Sequence, residues 1–328
     1  FAMVKKLDLF GRNLTFEEDN VQAYKTYIGA LVSALTFITV AVIAFLFGKE
    51  IYERKFPLVM NSEEIIEQSR VPMSEFPVIL YFMNNEGKNL EDIFSRFLFR
   101  INYVTWDEKR NFSFNLYRGI RECNPDHYTK HRDFVEKTIE QGKAGNLTSY
   151  CPNFEPEFVL QNPLTSLNST SIGLYVLDCD EDNRNSFNSL VANPEEKFPE
   201  CKELTIANSK VHTMISYMNS FTDPKDYNNP VVYYPVTSFI TLDGGAYRLR
   251  FNLQKSVVST DYGWILEKTS DEEVVTLKDP TRELYIPSLK ERLDIELDVS
   301  LRRTKVIRNY LKAQELFAKI GGLFNALN

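Results

Sequence analysis

Three histidines in 328 residues leave few general bases. The chain also lacks a G-x-S-x-G elbow, a Walker loop, an H-E-x-x-H pair and a dinucleotide fingerprint. It therefore carries none of the local devices that position a nucleophile, a phosphate or a catalytic zinc. There is no basic excess either: 38 Lys and Arg face 45 Asp and Glu, for a net charge of −7. A nucleic-acid or phosphate-binding surface is a poor fit to that balance. Internal repeats and low-complexity tracts are absent. Together these absences point to a non-enzymatic protein with no cofactor, no metal and no nucleic-acid partner.

What is present is one long apolar run. Residues 27–47, YIGALVSALTFITVAVIAFLF, hold no charge. At the helical rise that length makes roughly 31 Å, about the thickness of a bilayer's hydrocarbon core. Tyr24, Tyr27 and Tyr52 lie at its borders, where amphipathic rings favour the interface, and Lys25 and Lys49 bracket it. A buried core helix would carry a polar stripe, and a signal h-region is shorter and nearer the start. The run reads as an uncleaved transmembrane helix that makes the lipid bilayer a partner. Gly29, Ser33 and Thr36 place small side chains along one flank. They suit close helix contact, though small residues also occur in any span.

Lys/Arg counts beside the run are nearly even, so charge does not orient it. All four cysteines, Cys123, Cys151, Cys179 and Cys201, follow it, as do sequons at Asn111, Asn146 and Asn168. An even cysteine count beside clustered sequons suits an oxidising compartment. The expected layout is a cytosolic segment over 1–26, the span at 27–47, a charged stalk at 48–75, a β-rich ectodomain at 76–299 and a juxtamembrane helix over 300–328. Four cysteines allow three pairings; the sequential one, Cys123–Cys151 and Cys179–Cys201, closes the shortest loops.

The middle is rich in Phe and Tyr, 24 and 17 copies, which favours strands. Strand patterns recur at 76–84, 95–106, from 111, and from 171. Asp243-Gly244-Gly245 between alternating runs predicts a β-hairpin, and WILEK, EEVVTL, ELYIPS and LDIELDVSL continue the meander. A helix is predicted at about 126–141. The fold class is thus membrane-anchored and mainly β: a sandwich-like ectodomain with a helical insert, between an N-terminal span and a C-terminal amphipathic helix. In that tail Ile307, Tyr310, Leu311, Phe317 and Ile320 can share a helical face. Cys123, His127 and His131 have zinc-like spacing, but Pro125 separates the cysteine from the helix and oxidation would claim it. The stretch DCDEDNRNS at 178–186 begins like a calcium loop, but lacks the glycine and glutamate that such a loop needs.

The chain opens with Leu7-Asp8-x-Phe10-Gly11 running to Tyr24-x-Thr26-x-x-Gly29 and closes with Arg308-x-Tyr310 running to Ile-Gly-Gly-Leu, and in both it resembles a group of ciliate two-span transmembrane proteins. Leu7, Asp8, Phe10 and Gly11, then Tyr24, Thr26 and Gly29, match its approach to the first span. VIRNYLKAQELFAKIGGLFNAL, with Arg308-x-Tyr310 and then Ile-Gly-Gly-Leu, is similar to its approach to the second. The resemblance implies that residues 319–328 are the first turns of a second span. A more distant layout likeness, at fold level only, is to cargo receptors cycling between ER and Golgi. The function expected first is that of a structural or interaction subunit, a glycoprotein in a homo- or hetero-oligomer at the plasma or ciliary membrane. A channel or receptor subunit and a trafficking receptor are the alternatives.

Overall fold

Alternating apolar and aromatic residues build the framework, and a strand apolar throughout is one covered on both sides. The run VILYFM is the clearest case. Val78, Leu80 and Phe82 pack into the main core, while Ile79 and Tyr81 pack into a smaller cluster under a helix.

In chain order the computed structural model contains α1 (Tyr27–Glu53), β1 (Leu58–Ile65), β2 (Gln68–Pro72), β3 (Val78–Met83), the single turn α2 (Ile93–Arg96), β4 (Phe97–Trp106), β5 (Phe112–Arg118) and β6 (Ile120–Glu122). Then come α3 (Arg132–Ala144), β7 (Tyr150–Pro152), β8 (Val159–Pro163), β9 (Thr170–Asp178), α4 (Glu181–Leu190), β10 (Val211–Thr222) and β11 (Val231–Leu242). The chain continues through β12 (Ala246–Asp261), β13 (Thr269–Tyr285), β14 (Glu291–Val299), β15 (Arg302–Asn309) and α5 (Ala313–Leu327). The structure describes residues 27–106, 112–154, 158–163, 169–190, 197–202, 210–242, 245–285 and 290–327.

The larger sheet has eight strands, ordered β1-β15-β12-β14-β9-β4-β5, with β13 also on β12. The long strand β12 organises it. One edge pairs antiparallel with β13; the other pairs in parallel with β14 over Tyr247–Leu253 and then with β15 over Ser256–Thr260. Between these two, Ser300 N donates to Leu253 O at 2.7 Å, so the chain stays against β12. The smaller sheet, β11-β10-β3-β7-β6, lies over it, and β2 pairs with β8. Leu80, Phe82, Ile215 and Tyr217 from one sheet and Phe99, Ile101, Phe251 and Ile295 from the other share one core. The protein is mainly β with an apolar N-terminal helix.

Four expectations are corrected. The supposed stalk at 48–75 is the end of α1 followed by β1 and β2. β1 (LVMNSEEI) is polar and mostly exposed, so no alternation marks it; its pairing with β15 makes it a strand. Asp243 and Gly244 lie outside the described residues, and the strands on either side of them are not hairpin partners: β11 pairs with β10, and β12 lies in the other sheet. Alternation fixes which face of a strand is buried, not which sheet it joins. The tail helix begins at Ala313 rather than 300, because Arg302–Asn309 is β15. Its buried residues Val306 and Arg308 alternate with half-buried ones, buried Tyr310 just beyond the strand continues the pattern, and the arginine hides that period. The helix expected at 126–141 is a 3₁₀ turn, Pro125–His127, followed by α3, with His131 in the left-handed region at φ 60.

The disulfides are Cys123–Cys151 and Cys179–Cys201. Each closes a loop around one helical excursion, α3 in the first and α4 in the second. Loops of that length restrict the unfolded chain by about 3–4 kcal/mol each. Cys123→Ala with Cys151→Ala should lower unfolding stability by that order and raise the m-value, because the unfolded chain expands once the loop is open; chemical denaturation reads both.

Candidate functional site

α1 stops at Arg54, whose φ of 49 is the left-handed turn that ends many helices. Its N–H bonds Glu50 O at 3.0 Å. The turn sends the side chain into the β domain, where only 7% of the residue is exposed. Arg54 Nη1 donates to the Tyr227 hydroxyl at 2.6 Å and Nη2 to Tyr262 O at 2.9 Å. The guanidinium also lies over the rings of Tyr227 and Trp264, at 4.8 and 5.1 Å from their centroids.

At the other junction Arg308, on β15, is fully buried. It donates from Nη2 to Thr260 Oγ1 at 2.6 Å and to Tyr227 O at 3.3 Å, and from Nη1 to the Asp226 carbonyl. Tyr227 and Tyr310 stack edge to face, with centroids 5.1 Å apart. One residue pair further on, Lys312 Nζ meets the buried Asp261 carboxylate at 2.7 Å, and Ala313 N donates to Trp264 O at 2.9 Å to start α5. Both junctions are thereby tied to the same two segments, the β10–β11 loop and the β12–β13 turn. This collar fixes the direction in which each helix leaves the β domain, and α1 packs against α5. Among the described residues neither arginine has a carboxylate partner within ion-pair distance; carbonyl dipoles and ring faces carry the charge.

A second polar cluster lies on the outer face of the large sheet. Asp294, on β14, is fully buried; its Oδ2 accepts from Arg248 Nε at 2.7 Å, while Oδ1 has no partner among the described residues. Burial pushes this carboxyl up to about 6, with Glu296 adding to it and Arg248 opposing. Where β14 gives way to β15 a cleft of about 660 Å³ opens, lined by Trp106, Asn162, Asn252, Asp298 and Arg302 among others. No histidine or cysteine among the described residues lines it.

The residues singled out from sequence are dispersed. Asn146 is exposed in the turn after α3, at φ 55, while Asn111 and Asn168 lie outside the described residues, as do 1–26. On α1, Ser33 and Ala30 are buried and Gly29 and Thr36 are half-buried. The zinc-like set dissolves, because Cys123 is bonded to Cys151. The calcium-like stretch is a helix start: Asp180 Oδ1 accepts from Asn183 N at 2.7 Å, and Asp178 pairs with Arg292 at 2.8 Å. No His/Cys/Asp/Glu group able to hold a metal occurs among the described residues. Arg54, Asp294 and Trp264 were not anticipated. Arg308 stands in the C-terminal resemblance without a role, and Tyr310 lies in the collar rather than on the expected helical face; an arginine at an inward position of a β alternation is the available signal.

The geometry defines a class: a β-sandwich domain that an apolar helix joins, and a second helix leaves, at one end. Residues 78–298, well over half the chain, match the family described as "Uncharacterised 80 kDa protein N-terminal domain", and the chain belongs to it. No curated protein matches the sequence. Among solved structures, a cryo-EM structure of a proton-activated chloride channel aligns at 9% identity and a TM-score of 0.29, covering 90% of this chain and 91% of that one. The crystal structure of Erv41p aligns at 12% identity and a TM-score of 0.27, covering 74% of this chain and 99% of that one.

Arg308→Met strips the donors from buried carbonyls and should cost about 3 kcal/mol, and Arg308→Lys should recover only part of it, since an ammonium cannot span the same acceptors; chemical denaturation of both variants reads this. For Asp294 the folded pKa lies above the unfolded one. Its stabilising contribution is therefore complete below about pH 4 and is lost as pH rises through about 6. Asp294→Asn should gain about 2–3 kcal/mol relative to wild type between pH 4 and pH 7.5, measured as the change in the stability difference between the two proteins.

Proposed function

We propose that the chain is a membrane-anchored, non-enzymatic glycoprotein subunit that holds its β domain at a set orientation on the extracytoplasmic side and offers it to other chains of an assembly. The collar carries this reading. A helix pair leaving one end of a domain, each junction pinned by a buried arginine to shared loops, suits presentation at a fixed angle rather than turnover of a substrate. α1 is long and apolar enough to cross a membrane, and only 12% of its most apolar stretch is buried, unlike the core helix of a water-soluble fold. The two disulfides and exposed Asn146 suit an oxidising compartment. The likeness of both chain ends to the ciliate two-span group supports a second crossing that starts in α5, and a plasma or ciliary membrane as its home.

The aromatic side chains Phe221, Tyr234 and Phe239 are exposed along β10 and the edge strand β11, which favours a protein contact there. Two measurements test the proposal on the membrane-extracted protein. Endoglycosidase treatment should shift its mass, with a smaller shift in Asn146→Gln. Mass determination in mild detergent should give a complex heavier than one chain. A non-associating monomer defeats the subunit reading, and absence of glycans together with reduced cysteines defeats the extracytoplasmic placement.

A further inference from the structure

The β12–β13 turn, Tyr262–Lys268, is rigid and apolar at once. Asp261 Oδ1 accepts from both Gly263 N and Lys268 N at 2.9 Å, and Tyr262 N donates to Lys268 O at 2.9 Å. A Cβ on Gly263 would lie 1.8 Å from Leu266 O, so the turn closes only around a glycine. This closed loop holds Trp264, Ile265 and Leu266 outward, at 53%, 59% and 78% exposure. Three consecutive large apolar side chains held in water by a well-bonded turn are not explained by folding.

Their position identifies the solvent. β12 runs parallel to β15, with Thr260 level with Arg308, so its turn projects from the end where the chain passes into α5. Trp264 touches both junctions, through the Arg54 guanidinium and through its carbonyl to Ala313 N. Tyr52 near the end of α1, Phe56 in the link and Leu58 at the start of β1 are exposed as well. Residues 48–53 rise only about 9 Å beyond the apolar run, comparable to the depth of the headgroup layer.

We infer that this turn is a membrane-interface foot: Trp264, Ile265 and Leu266 sit among lipid headgroups and upper acyl chains, continuous with the lipid-facing surface of α1. The inference rests on the reading of α1 as a span. Trp and flanking lysine at such a boundary match the side chains that prefer it, and Lys268, with its ammonium 5.0 Å from the Tyr262 ring centroid, adds a cation facing the headgroups. The foot makes a third point of support beside the two helices, which keeps the β domain from tilting.

The test is fluorescence quenching of the full chain in nanodiscs. The sequence has two tryptophans, so Trp106→Phe leaves Trp264 as the sole reporter. In lipids brominated near the carbonyl its emission should fall at least twofold, and Ile265→Ser with Leu266→Ser should restore most of it. A second reporter, Phe45→Trp in a Trp106→Phe, Trp264→Phe background, reads α1 separately. If Phe45→Trp is quenched and Trp264 is not, the foot is refuted while the span stands, and a protein partner becomes the cover for the turn. If neither is quenched, the span reading fails and the foot with it.

Discussion

β1 and β15 pair along their whole length, and this pairing joins the two ends of the β domain. Eight residue pairs, from Leu58 opposite Asn309 to Ile65 opposite Arg302, make the first and last strands of the domain antiparallel neighbours. The chain therefore arrives and departs within one strand spacing, about 5 Å. Two helices that leave such a pair must run side by side, and α1 and α5 do pack together. β1 itself has little to commend it as a strand. Its ion pairs, Glu64 with Arg303 at half-buried positions and Glu63 with Lys278 in the open, each contribute little. The ladder to β15 and the anchoring of its helix end by Arg54 hold it in place.

Buried arginine is an unusual choice for such a junction. Apolar residues of similar volume often give equal or greater stability than a buried charge. What they cannot do is satisfy carbonyls that converge from different segments. The β10–β11 loop is closed by Asp223 N to Pro230 O at 2.8 Å and by the Asp226 carboxylate, which accepts from Asn228 and Asn229 N at 2.9 Å. That leaves the Asp226 and Tyr227 carbonyls facing Arg308. A planar guanidinium with five donors reads several acceptors at once, so the junction gains a single geometry as well as cohesion.

How much of this was visible in the residues follows from what each element is made of. α1 was plain because twenty-one uncharged residues admit few interpretations, and β3 because VILYFM has no polar face. The helical inserts were harder: α3 starts late because Pro125 and a left-handed His131 displace its first turn. β1 and β15 lack a legible strand pattern for opposite reasons. β1 has no buried face to produce a period, and β15 has one whose central residue is charged. The collar is hidden for a different reason. Arg54, Tyr227, Trp264 and Arg308 are far apart in sequence, and only strand pairing across two sheets brings them together. Sheet membership was not legible at Asp243-Gly244-Gly245 either, since a turn signal states that the chain bends, not where it goes.

The length of β12 gives these features a mechanical relation. Sixteen residues of strand extend about 53 Å. Near one end Arg248 holds buried Asp294; at the other, Thr260 and Asp261 belong to the collar. Along the whole span β13 covers one edge, while β14 and then β15 cover the other, so β12 cannot slide without breaking ladder bonds on both sides. Rotation of the sheet against the helices is opposed at the collar. Such rotation would have to work against Arg54 and Arg308, whose donors reach fixed carbonyls and hydroxyls. The junction therefore resists small loads and would give way, if at all, between discrete sets of acceptors, since a guanidinium exchanges hydrogen-bond partners in whole steps.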